Sequence, residues 1–123
     1  MAYMTDRKRA EGLGAAGSGT EHHWQMMVTS IALLVLVPCF VFTFGRALGM
    51  DYEAATAYYS RPFPVTVAVL TLLVGFFHFA KGAQVLIEDY VHGIGRKLGI
   101  IGAYCLSGLL AVAGVVALGI IAF

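Results

Sequence analysis

Most of the reactive side chains in the apolar part of this chain fall within one stretch, GFFHFAKGAQVLIEDYVHG, which holds His78, Lys81, Glu88, Asp89, Tyr90 and His92. The His78 imidazole suits three roles: a hydrogen-bonded structural residue, a proton relay or a metal ligand. On a helix, at about 100° per residue, Gly82, Val85 and Asp89 follow His78 along one stripe. A glycine one turn beyond a ligating imidazole leaves room for a flat macrocycle, and haem iron takes axial histidines. One chain that supplies one buried histidine cannot complete a bis-histidine site, so a haem here requires a second chain. Lys81 sits about 60° around from His78. It either snorkels toward the headgroups or pairs with an anion such as a haem propionate.

Glu88, Asp89, Tyr90 and His92 form a second cluster with two readings. One is a solvated helix end with Tyr90 at the membrane interface. The other is a quinone site. Reducing a quinone takes two electrons and two protons, so a hydrogen-bond donor must face the carbonyl and a proton source must stand close by. The Tyr90 hydroxyl suits the first task, and Asp89 or His92 the second.

The elements that must position these groups follow from where charge is missing. Hydrophobic residues make up 59% of the 123 residues and charged ones 12%, against about half and about a quarter in soluble domains. A chain this short has too little interior to hide that much apolar surface from water. Eight Lys+Arg nearly balance seven Asp+Glu, which leaves no basic excess for nucleic acid. Three runs are almost free of charge: Trp24 to Gly45, Pro62 to Ile87 (which contains His78 and Lys81), and Leu98 to Phe123. Each exceeds the roughly 20 residues needed to cross a bilayer, and lipid offers the backbone no partners, so each must be helical.

The fold class is therefore an all-α membrane protein with three transmembrane helices, near 24–46, 62–89 and 97–122, in an anchor domain spanning 21–123. Residues 1–20 are read as a flexible tail. The first run is too long for the apolar core of a signal peptide. Basic residues favour the cytoplasmic side, and Arg7, Lys8, Arg9, Arg96 and Lys97 share one side against Arg46 and Arg61 on the other. The N-terminus is expected in the cytoplasm and the C-terminus outside. The outer loop has Asp51 as a helix cap with Pro62 and Pro64 restarting the chain, which suits a short interfacial helix. Cys39 and Cys105 lie in hydrocarbon and are read as small apolar residues. Pro38 removes one backbone hydrogen bond from the first helix. Gly95, Gly99, Ala103, Ser107 and Ala111 recur every four residues, a stripe that lets a partner helix approach closely.

Two stretches carry a family resemblance: SGTEHHWQMMVTSIAL at the entry to the first helix, and His78 followed eleven residues later by Asp89-Tyr90. With three helices, the chain resembles the smaller, D-type cytochrome b anchor of succinate dehydrogenase, respiratory complex II. The resemblance implies His78 as an axial ligand of a haem b shared with a companion cytochrome b anchor subunit. It implies Tyr90 as a hydrogen-bond donor to ubiquinone near the cytoplasmic surface, with Asp89 supporting it. The partners would be that companion, an iron–sulfur subunit and a flavoprotein whose FAD oxidises succinate, assembled on a bacterial inner membrane. The chain would be non-catalytic on its own. Some relatives lack haem, so a purely structural anchor is the alternative. The family often has an arginine where its first helix begins. Here Met26-Met27 stand before Thr29-Ser30, and the propionate charge would fall to Lys81, to a companion residue or to His22 and His23.

Overall fold

The computed structural model describes residues 3–12, 14 and 19–123. Five helices follow one another: α1 (Asp6–Glu11), α2 (Gly19–Ala47), α3 (Tyr52–Tyr59), α4 (Pro62–Tyr90) and α5 (Gly93–Ala122), with no strand among the described residues. α2, α4 and α5 are long and apolar enough to cross a membrane. At 1.5 Å per residue each reaches about 43–45 Å, against about 30 Å of hydrocarbon, so their ends stand among the headgroups. α4 is the central element: it packs against α2 on one side and α5 on the other.

Local signals account for the ends. The Asp51 carboxylate accepts a hydrogen bond from the Ala54 amide at 2.8 Å and starts α3, which packs across α4 and α5. Pro62 begins α4 at the one place where a missing N–H costs nothing. Gly93, at a φ of 67°, turns the chain between α4 and α5, where a side chain would be strained. α2 runs as one helix through Pro38. It starts ahead of the apolar run, supported by a Gln25–Glu21 hydrogen bond one turn apart. Inside the stretch read as a flexible tail, α1 forms a short exposed helix. Thr5 caps it and Arg7 pairs with Glu11 at 2.8 Å. Residues 1–2, 13 and 15–18 of that stretch lie outside the described residues.

The interior is built from small side chains. Val67, Ala68, Ala80, Ala111, Thr43 and Ser107 are buried, and no large side chain is fully enclosed. The small-residue stripe of α5 faces α4 of the same chain. Ser107 and Ala111 are buried in it, and an added Cβ at Gly99 would meet Ile87 Cγ2 at 3.3 Å. The stripe continues to Gly114, where a Cβ would meet Leu72 Cδ1 at 2.8 Å. Most large apolar residues face outward, Leu34, Phe42, Leu109 and Ile120 among them, as lipid and neighbouring chains require.

Candidate functional site

His78 lies partly buried on α4, at the face that meets α2. Its Nδ1 is 2.8 Å from the Thr29 hydroxyl of α2. That hydroxyl also donates within its own helix, to the Gln25 carbonyl at 2.8 Å or the Met26 carbonyl at 3.1 Å. His78 Nε2 has no hydrogen-bond partner among the described residues. A Cβ at Gly82 would touch Met26 Cε at 3.8 Å and nothing else nearby, an ordinary contact. Among the described residues no group of three or more His, Cys, Asp or Glu is arranged to hold a metal ion. Whatever binds His78 takes one ligand from this chain.

Around Lys81 the structure assembles a polar cleft that the sequence reading reached only in pieces. Glu21, His22, Gln25, Lys81 and Gln84 line a cavity of about 230 Å³ between α2 and α4. Two buried polar atoms there, His22 Nε2 and Gln25 Oε1, have no hydrogen-bond partner. The Lys81 ammonium makes no ion pair among the described residues. It stands 5.6 Å from the Phe77 ring centroid and 5.8 Å from that of Tyr104, within reach of a cation–π attraction. Tyr104 on α5 donates to Gln84 Oε1 at 2.7 Å, and Gln84 donates in turn to Glu88 Oε1 at 2.9 Å. This relay joins α5 to the C-terminal end of α4.

Tyr90 and Asp89 are not drawn into that network. Both are exposed on the last turn of α4, Tyr90 at 77%, and neither hydrogen-bonds to another described residue. His92 is exposed just beyond, as the uncapped start of α5. Asp89 keeps its place on the His78 stripe, about 16 Å further along the helix at 1.5 Å per residue. The chain thus offers two separate sets of groups: an imidazole and a polar cleft between α2 and α4, lined by both Lys81 and Glu21, and a phenol with a carboxylate at the rim of α4. Any pocket around the second set must be walled by other chains.

Thr29 and Tyr104 have no role in the sequence reading, which rests on ionisable groups of α4 and its flanks. A hydroxyl was available as the signal, since Thr29 lies within the uncharged first run. Its pairing with His78 depends on how α2 slides along α4.

The comparisons with known proteins settle the family. The family model described as succinate dehydrogenase/fumarate reductase transmembrane subunit matches residues 1–122. The chain belongs to this family. As a transmembrane subunit of the succinate dehydrogenase/fumarate reductase family, it is a multi-pass membrane anchor that works in a complex with other subunits. It is 48% identical over 101 residues to the succinate dehydrogenase hydrophobic membrane anchor subunit of Paracoccus denitrificans, covering 82% of this chain and 78% of that one. To the subunit of the same name from Rickettsia bellii (strain RML369-C) it is 31% identical over 93 residues, covering 72% and 71%. No solved structure matches the chain.

Proposed function

We propose that this chain anchors a succinate:quinone oxidoreductase to a bacterial inner membrane, holds one side of a haem b through His78, and lends Tyr90 and Asp89 to the ubiquinone site. The observation that carries the reading is the His78 imidazole: it lies on a helix long and apolar enough to span a membrane, is engaged at Nδ1 by Thr29 and has no hydrogen-bond partner at Nε2 among the described residues. The donor set suits a haem. A neutral imidazole is an axial ligand of haem iron, and a second, from the companion cytochrome b anchor, would complete the pair. The cleft suits the propionates: the Lys81 ammonium, which makes no ion pair among the described residues, would pair with a carboxylate, and a hydrogen on His22 Nε2, which has no hydrogen-bond partner there, would be donated to it. Lys81 takes the place of the arginine for which Met26-Met27 stand, with His22 beside it. A bound haem b supplies a one-electron store beside the electron route.

At the α4 rim, the Tyr90 hydroxyl donates a hydrogen bond to the quinone carbonyl and holds it toward the iron–sulfur subunit. Asp89 and His92 pass protons from the aqueous side. The iron–sulfur and flavoprotein subunits would supply the two electrons from succinate, and Asp89 and His92 the two protons that complete the quinol. The basic flanks at Arg7 to Arg9 and Arg96-Lys97 support a cytoplasmic side for this rim, where the soluble subunits would dock.

Purified complex should give a reduced-minus-oxidised b-type absorbance that disappears in His78→Ala. A His78→Ala complex with its full absorbance would remove the ligand. The Thr29 hydrogen bond by itself also suits a haem-free, purely structural anchor, in which His78 does no more than tie α4 to α2. A wild-type complex without haem would establish that second reading.

A further inference from the structure

We infer that Thr29 is the positioning residue for His78: it fixes the proton on Nδ1 and thereby presents the Nε2 lone pair to the iron. The inference rests on the proposed reading of His78 as a haem ligand.

A threonine hydroxyl has one hydrogen. Its oxygen lies 2.8 Å from the Gln25 carbonyl oxygen, a separation at which two oxygens repel unless a hydrogen stands between them. The hydrogen is therefore committed to α2's own backbone, as is usual for a threonine inside a membrane helix. The Nδ1 contact at the same 2.8 Å is then attractive only if Nδ1–H donates to a lone pair on Thr29 Oγ1. In a neutral imidazole one nitrogen carries the hydrogen and the other the lone pair. Nε2, which has no partner among the described residues, is left as the ligating atom. The bond also fixes the ring about its Cβ–Cγ axis and makes Nε2 a stronger electron donor, as partners of metal-bound histidines do. Since Thr29 is on α2 and His78 on α4, the register of the two helices and the aim of the ligand become one variable.

Ser30 supplies the internal control. Ser30 is exposed, and its hydroxyl donates to the Met26 carbonyl at 2.8 Å and makes no hydrogen bond to His78. In the intact complex, Thr29→Val keeps the shape and removes the acceptor. The haem should pass to an added apo-haem acceptor about tenfold faster. The low-spin ferric EPR signal should broaden and shift, and the midpoint potential should rise. Thr29→Ser should restore all three, and Ser30→Ala should leave them as in wild type. Thr29→Ala repeats the test with a smaller side chain if valine disturbs assembly.

Wild-type exchange, EPR and potential in the valine and alanine variants would overturn the positioning role while leaving His78 a ligand. Equal effects from Ser30→Ala would reduce Thr29 to a generic helix residue and likewise overturn it. Loss of the ligand reading looks different: His78→Ala would keep its haem, or the wild type would have none.

Discussion

The chemistry of this chain is divided between two kinds of residue. His78 and Lys81 sit inside the bundle and meet neighbours from other helices, whereas Asp89 and Tyr90 sit at its edge and meet none. The first pair can be tested through the bound group. Exchanging Lys81 for Met should weaken haem retention without abolishing it, measured as the haem-to-flavin ratio, because the proposed reading gives the lysine a propionate and not the iron. An unchanged ratio would return Lys81 to mere snorkelling. The second pair is tested through the substrate. Tyr90→Phe removes one hydrogen bond to the quinone, worth about 1.5 kcal/mol or roughly tenfold. Ubiquinone reduction should fall by about that factor while succinate oxidation by a soluble dye persists. Equal loss with both acceptors would place the defect in assembly instead. His78, Lys81, Asp89 and Tyr90 were legible in the sequence because ionisable and phenolic groups within or beside apolar runs stand out. Thr29, Gln25 and Tyr104 were not, since a neutral hydroxyl or amide has no meaning until the helix opposite is known.

At the scale of elements, α4 carries the candidate site, and of the three spans it is the one packed extensively against both others. Its contact with α5 depends on what is absent from α5. Gly99 lets Ile87 come within 3.3 Å of where a Cβ would be, and Ile87, branched at Cβ, has little freedom to turn away. Gly99→Ile should therefore cost about 1–3 kcal/mol of stability, read as a lower midpoint for loss of the complex on heating in detergent. Gly99→Ala, which asks for a shift of a few tenths of an ångström, should cost much less. Equal midpoints for the isoleucine variant and the wild type would mean that α5 does not pack here. The Tyr104–Gln84–Glu88 relay adds a polar tie across the same contact. Bonds of this kind in membranes average about 0.6 kcal/mol, so Tyr104→Phe is the milder change. The stripe of α5 was visible as a spacing of four residues, but its partner was not. Periodicity marks a face and says nothing of what lies against it.

For the whole molecule, the balance of exposure is the main fact. Three spans with an interior of alanines, a valine, a serine and a threonine leave Leu34, Phe42, Leu109 and Ile120 facing outward. In a bilayer that surface meets lipid or the companion anchor at little cost. With five basic residues on one flank and two on the other, a tag at the N-terminus should be reached by protease only after the cytoplasmic membrane is opened. A C-terminal tag should be cleaved in intact spheroplasts; the reverse pattern would invert the proposed orientation.

The all-α class and the number of spans were decided by sequence alone. A bilayer is a solvent of fixed thickness, and chain length against hydrophobicity is a one-dimensional question. Three matters required the tertiary structure: that Thr29 reaches Nδ1, that Lys81 shares a cleft with His22 and Gln25, and that the glycine stripe closes on α4 of its own chain. Each depends on the sliding and rotation of one helix against another, and that geometry is set by side-chain shapes summed over a whole interface, not by any spacing along a single helix.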